Sequence, residues 1–347
     1  MERGPRPPEF YKKAKRMLSY AGAVLALGAT EPGCNPNEAE SASLKSSQSL
    51  EAERGEVRIE KLKAELENLP AFETNHAYFD NNPDFFKPIN HGTFSDSEKQ
   101  QRTERLPNGA LIFHDIGLDF YKVKPGDSIG KIKHKLTEYA EYAYLNNQRR
   151  KIISFNIPDT EVPAGDWIPI PLENKDRHVS DLQFAEYSRQ ALLEILDDPK
   201  YASDVADILD KISISELQAS MIAIAKQESS NSARSPIGTF GYHKYEPKYH
   251  SFSYGPMHIL MSGDGLTARH NLNMSEGQVN HPKNAVKLFL AFMVEKSHGR
   301  PEKFFPLDQH AESFATFYNG KYWKSSNPNY ADNIGEYYKD AMSKLSK

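Results

Sequence analysis

The sequence predicts a mainly helical protein with one small α+β module ahead of a larger helical body. Beyond Leu172 apolar residues recur at three- and four-residue spacing, as at Leu217, Met221 and Ile224, which marks the buried stripe of a helix. Between 120 and 172 the order instead reads strand, helix, helix, strand, so that two short strands can pair. At 38% hydrophobic and 26% charged residues, a chain of 347 has enough apolar material to bury a core.

The formal charge of -4 provides no global basic field, so nucleic acid is excluded as the default partner. Cys34 is the single cysteine, which rules out an internal disulfide and leaves no thiolate cluster for a metal. Tyr and Phe number 18 each, enough to cover a core and leave rings for a flat ligand such as a sugar.

Read from the start, Lys12, Lys13, Lys15 and Arg16 precede an apolar run from Leu18 to Ala29. That run has the length of a signal-peptide core and is short for a transmembrane span. Residues 1–29 are therefore expected to be an export signal, cleaved after Gly28 or Ala29. The alternative is a retained hydrophobic anchor, the only membrane contact expected. The lipoprotein-like box at Cys34 is poor, because Glu31 and Pro32 stand where aliphatic and small residues belong. Residues 30–70 read as a disordered linker followed by a short Glu- and Lys-rich helix over 57–69, and 71–119 suggest no element.

Phe120 to Val123 alternates like a strand, and Pro125-Gly126-Asp127-Ser128 then supplies a turn and a helix cap. Ile129, Ile132 and Leu136 form the buried face of the helix that follows, and a second helix is expected from Glu138 to Phe155. Connecting helices fill 173–211, one opened by the capping box Ser180 and Gln183. Over 212–345 further helices are expected before Ser229, from Pro282 with Gly299 marking its end, over about Asp308 to Phe317 with Gly320 as the stop, and from Ala331 to Leu345. Ser229 to Ser253 reads as one long irregular loop.

Glu228 falls on the stripe of Leu217, Met221 and Ile224, where Ser213 with Glu216, or Ser215 with Gln218, caps the helix start. Burial and the negative end of the helix dipole both predict a raised carboxyl pKa. A carboxyl that holds its proton near neutrality suits glycosidic cleavage, in which the bridging oxygen gains a proton as its bond breaks. The plainer alternative is a helix-end Glu facing solvent or paired with Arg234.

Two families are resembled. Tyr121-Lys122-Val123-Lys124-Pro125-Gly126-Asp127-Ser128, Asn156 and Gly165-Asp166-Trp167-Ile168-Pro169-Ile170-Pro171 resemble a LysM domain, although the segment between the helices is longer and more aromatic. The resemblance implies binding of an N-acetylglucosamine polymer, peptidoglycan above all, through Gly126, Asp127, Ser128 and Asn156. Glu228-Ser229, Ser235-Pro236-Ile237-Gly238, Gly255-Pro256-Met257-His258-Ile259 and Phe317-Tyr318-Asn319-Gly320 resemble, in order, the motifs of lytic transglycosylases within the lysozyme superfamily. This implies a lysozyme-like catalytic domain with Glu228 as general acid. Ser229, Met257 and His258 would line the cleft, and Tyr318 and Asn319 would hold the acid and the sugar.

The chain departs from that pattern at Pro256, where the family has Leu, and at His258, where it has Gln. It also carries an inserted TFGYHKYEPKYHSFS segment. In a transglycosylase one Glu suffices, because after protonating the leaving oxygen it takes the muramic acid C6 hydroxyl proton and closes an anhydro ring. A hydrolase needs a second carboxylate, for which Glu246 and Asp264 are the candidates. His243, His250, His258, His270 and His281 lack the helical spacing of a metalloprotease site, so neither a metal nor any other cofactor is expected. No Gly-x-Ser-x-Gly elbow accompanies Ser229 and Ser230. The expected function is cleavage of the peptidoglycan strand by an exported enzyme; the competing class is a non-catalytic wall-binding scaffold with a degenerate lysozyme-like domain.

Overall fold

The computed structural model describes residues 53–74, 79, 95–115, 118–138, 162–170, 175–230, 232–239, 241–246, 249, 251–275 and 277–346. The expected export signal, Asn156 and the helix expected after Glu138 lie outside these residues, apart from Glu138 itself. The chain divides between Arg54 and Gly55, and the elements that follow belong to Gly55–Lys347. Among the described residues this unit is mainly helical, with two small antiparallel sheets. Among the described residues no helix is long and apolar enough to cross a membrane.

Helix α1 covers 53–68, and its part within this unit is tied to the body by Arg58, which pairs with Asp207 at 2.9 Å and Asp210 at 2.8 Å. The first sheet is built from β1 (Thr103–Arg105), β2 (Leu111–Asp115), β3 (Leu118–Lys122) and β4 (Trp167–Pro169), in that order. The two strands expected from the sequence do pair, with Tyr121 opposite Ile168. Helix α2 (Asp96–Arg102) and β1 and β2 come from the stretch that suggested no element. The signal for the two strands was the turn Asn108-Gly109: Gly109 takes a left-handed φ of 79°, and Asn-Gly between alternating segments favours a hairpin. Helix α3 (Ile129–Thr137) lays Ile132 and Leu136 on the sheet, where they join Ile112, Tyr121 and Ile168 in a small core.

The larger core belongs to α4 (Asp181–Leu196), α5 (Ala202–Leu209), α6 (Ile214–Ser229), α7 (Gly263–Asn271), α8 (Pro282–Ser297), α9 (Leu307–Asn319), α10 (Trp323–Ser326) and α11 (Tyr330–Leu345). The capping boxes Ser180 with Gln183 and Ser213 with Glu216 open α4 and α6. Every residue of α6 from Leu217 to Lys226 is buried, as expected of a helix enclosed on all sides. Helices α4 and α11 pack along it. Lys226 is inside this core because its charge is met: Asp181 lies 2.9 Å away and the carbonyls of Ala233 and Ser235 accept its other protons. Asp181 in turn binds Lys344 of α11 at 2.6 Å.

The expectation of one irregular loop from Ser229 to Ser253 is corrected. A second sheet, β5 (His243–Glu246), β6 (Ser251–Tyr254) and β7 (Ile259–Leu260), occupies part of it and runs past it. Alternation explains these strands: Lys244 faces Ser253 across β5 and β6, while Tyr245 is opposite Phe252. Phe252 packs against both hydrophobic cores and meets Phe120 edge to face at 5.7 Å. The second sheet thus joins the first sheet to the helical body.

Candidate active site

Helix α6 stops at Ser229 because Ser230 turns to extended backbone, leaving Glu228 one residue short of the helix end. Glu228 keeps 9% exposure, on the same stripe as Leu217, Met221 and Ile224, which have none. Tyr330, the first residue of α11, donates its hydroxyl hydrogen to Glu228 Oε1 at 2.6 Å. The Asn319 side chain acts on that same hydroxyl, favouring its ionised form against the larger opposing effects of burial and the Glu228 charge. On the other carboxylate oxygen, His258 Nδ1 stands 3.7 Å from Oε2, too long for a hydrogen bond.

His258 is aimed by the turn between β6 and β7. Gly255 takes a φ of 73°, and a Cβ there would sit 2.7 Å from the Val279 carbonyl oxygen, so only glycine fits. Its N–H donates to Asn280 Oδ1 at 3.2 Å. Three residues on, His258 is itself left-handed, with a φ of 46°. Its ring is anchored from the far side, with Nε2 3.2 Å from the Gly241 carbonyl oxygen.

The raised pKa expected for Glu228 is also corrected. Burial does push its carboxyl up, but His258, the positive charge of Lys244 and the Tyr330 hydroxyl outweigh burial and hold it below the usual carboxylate range. Burial and the Glu228 charge push the Tyr330 hydroxyl well above the ordinary tyrosine range, so it stays protonated and keeps donating. Neighbouring His243 is driven well below its usual range by burial, with Arg177 and His258 adding to the effect. It is therefore neutral.

The other residues singled out from the sequence divide into those near Glu228 and those used elsewhere. Tyr318 donates its hydroxyl hydrogen to the Met257 carbonyl and does not hold the acid; Tyr330 has that place. Met257 belongs to the core with no exposure and presents only its backbone. Ser229 is equally buried, its hydroxyl donating to the Ala225 carbonyl at 2.7 Å and accepting from Gly238 N–H at 3.2 Å. It closes the loop onto the helix and is not placed to bind sugar. Glu246 pairs with Lys244 at 3.1 Å and accepts from the Ser253 hydroxyl at 3.1 Å. Its charge, like that of Glu228, raises the Tyr318 hydroxyl, an effect in which burial is the largest part. Asp264 is exposed on the first turn of α7, where its charge acts on Lys296.

In the first sheet the expected glycan contacts serve the turn itself. Asp127 accepts from the Tyr121 hydroxyl at 2.8 Å, Lys124 N–H at 2.8 Å and Lys135 Nζ at 2.5 Å. Ser128 caps α3 through Lys131 N–H, and the Gly126 carbonyl accepts from Lys131 Nζ at 2.9 Å. A depression lined by Asp308, Glu312, Asp332, Glu336 and Lys339 between α9 and α11 includes none of the groups around Glu228. Among the described residues no three His, Cys, Asp or Glu side chains group to hold a metal ion.

The sequence reading missed Tyr330, Lys244 and Gly241. Tyr330 starts a helix two residues after Pro328, but nothing local shows that α11 returns to the end of α6. No protein-family model, curated protein or solved structure matches the chain.

Proposed function

We propose that this protein cleaves the β-1,4 bond between N-acetylmuramic acid and N-acetylglucosamine in peptidoglycan, with Glu228 as its acid/base group. The observation that carries this reading is the Glu228 carboxyl, enclosed at the end of α6 with Tyr330 on one oxygen and His258 on the other. Convergence of the separated motifs supports it. Gly238 binds Ser229, Tyr318 binds Met257, and His258, next to Met257, faces Glu228 at 3.7 Å. These are the segments that resemble a lytic transglycosylase, and their meeting at one carboxylate supports a lysozyme-like arrangement of the helical body.

The chemistry follows from the contacts. Tyr330 fixes Oε1, leaving Oε2 to exchange a proton with a glycosidic oxygen. After the bond breaks, the Glu228 carboxylate takes the C6 hydroxyl proton and a 1,6-anhydro end forms. Glu246 is held by Lys244 and by the Ser253 hydroxyl, an engagement that favours this one-carboxylate route over activation of water. The first sheet is the proposed glycan anchor, acting through surfaces other than Asp127. Export, expected from residues 1–29, would place the enzyme at the wall.

One observation favours the second reading, a wall-binding scaffold: at rest the Glu228 carboxyl is held ionised, and an ionised acid donates no proton. Incubating the protein and its Glu228→Gln variant with peptidoglycan, then weighing the soluble products, separates the two. Anhydro ends from the wild type, reduced roughly 100-fold or more in the variant, are expected for general acid catalysis. Reducing ends instead would assign a hydrolase. Equal background release from both, with the glycan still pulled down, would leave the scaffold.

A further inference from the structure

We propose that His258 holds the catalytic proton for Glu228: the pair shares one proton, kept on Nδ1 at rest and passed to Oε2 when a glycan strand covers the site. The inference rests on the reading of Glu228 as the acid, and makes His258 a positioning residue that acts through it. Geometry sets the proton count. A backbone carbonyl only accepts, so Nε2, 3.2 Å from the Gly241 oxygen, carries hydrogen. Nδ1 is then the nitrogen left to face the carboxylate.

That nitrogen is buried and has no hydrogen-bond partner among the described residues, and it faces Oε2 at 3.7 Å. The side chains are 1% and 9% exposed, so little water separates them. With no proton between them, a lone pair would face a carboxylate. One proton gives either an ion pair or a neutral pair. The resting ion pair is favoured by Lys244 and by the Tyr330 hydrogen bond to Oε1. Among the described residues, Tyr318 lies within the field of Glu228 and of Glu246, and His243 within that of His258 and of Arg177; His243 is neutral.

Covering the site with sugar removes the remaining water, and desolvation favours the form without charges. As the sugar packs over the pair, the 3.7 Å gap closes to hydrogen-bond distance; the Nδ1–H bond then breaks as the Oε2–H bond forms, leaving neutral His258 and a protonated Glu228. Oε2 gives that proton to the bridging oxygen as the glycosidic bond breaks. The C6 hydroxyl proton returns to Oε2 as C6–O joins the anomeric carbon. Release of product lets water back, and the proton returns to Nδ1. Proton and charge are restored, and no further reactant is used.

Two measurements on the full chain test this. In the first, imidazole nitrogen shifts are followed by NMR against pH in the wild type and in Glu228→Gln. A shared proton predicts that Nε2 stays protonated and that the Nδ1 midpoint falls by roughly 1 unit or more when the carboxylate is removed. An unchanged midpoint overturns the proposal. In the second, the pH profile of glycan cleavage is compared with His258→Gln and His258→Asn; asparagine tolerates the left-handed backbone and so controls for strain. The alkaline limb should move to lower pH by about 1 unit in both variants. A uniform drop with the limb in place would mean that His258 is only scaffolding. Coupled titration in a protein that cleaves no glycan would support the shared proton while overturning the glycan-cleaving reading.

Discussion

At the scale of single residues, the balance at Glu228 is between burial, which favours the neutral acid, and three groups that favour the charge. Tyr330→Phe removes one of them. A hydrogen bond to a charged group contributes about 2 kcal/mol, so the variant should lose about that much stability at neutral pH. The sign follows from linkage. Because the folded carboxyl lies below its ordinary value of 4.5, its stabilisation is present above that value and is lost as pH falls through the folded value. The gap between wild type and Tyr330→Phe should therefore narrow in urea unfolding at pH 3 compared with pH 7. A gap that does not change with pH would mean that Tyr330 acts by packing alone.

At the scale of elements, α6 was the most legible part of the chain. Its cap, its stripe and its end all follow from local chemistry, since Ser213, Glu216 and the apolar spacing act within a few turns. The strands of the inserted segment were not legible in the same way. His243 to Glu246 and Ser251 to Tyr254 alternate for only four residues each, and such short runs become strands only when partners align. The end of α6 also depends on distant residues: Lys226 is buried against Asp181 of α4, which Lys344 of α11 shares. Asp181→Asn would leave that ammonium with carbonyl partners alone, a loss of about 3 kcal/mol or more. Urea unfolding measures it. A change below ~1 kcal/mol would show that the carbonyls of Ala233 and Ser235 suffice.

At the scale of the whole molecule, two hydrophobic cores meet at Phe252. One aromatic from the second sheet thus couples the first sheet to the helical body that carries Glu228. Phe252→Ala should cost about 3 kcal/mol and broaden or split the calorimetric transition, with the first sheet melting ahead of the helices. A single sharp transition at lower temperature would show that other contacts carry the coupling.

The sequence by itself determined the helical class, the capped helices, the pairing of the strands near Tyr121 and Ile168, and the place of Glu228 on a buried stripe. These depend on periods and caps that act over a few residues. Only the tertiary structure decided what surrounds the carboxylate. Tyr330 rather than Tyr318 binds it, His258 faces it from a left-handed turn, and the charge of Lys244 acts on it from a strand that local pattern could not specify. The physical reason is that a pKa is set by groups brought within a few ångströms by chain return, and those groups leave no mark on the residues next to Glu228 in sequence.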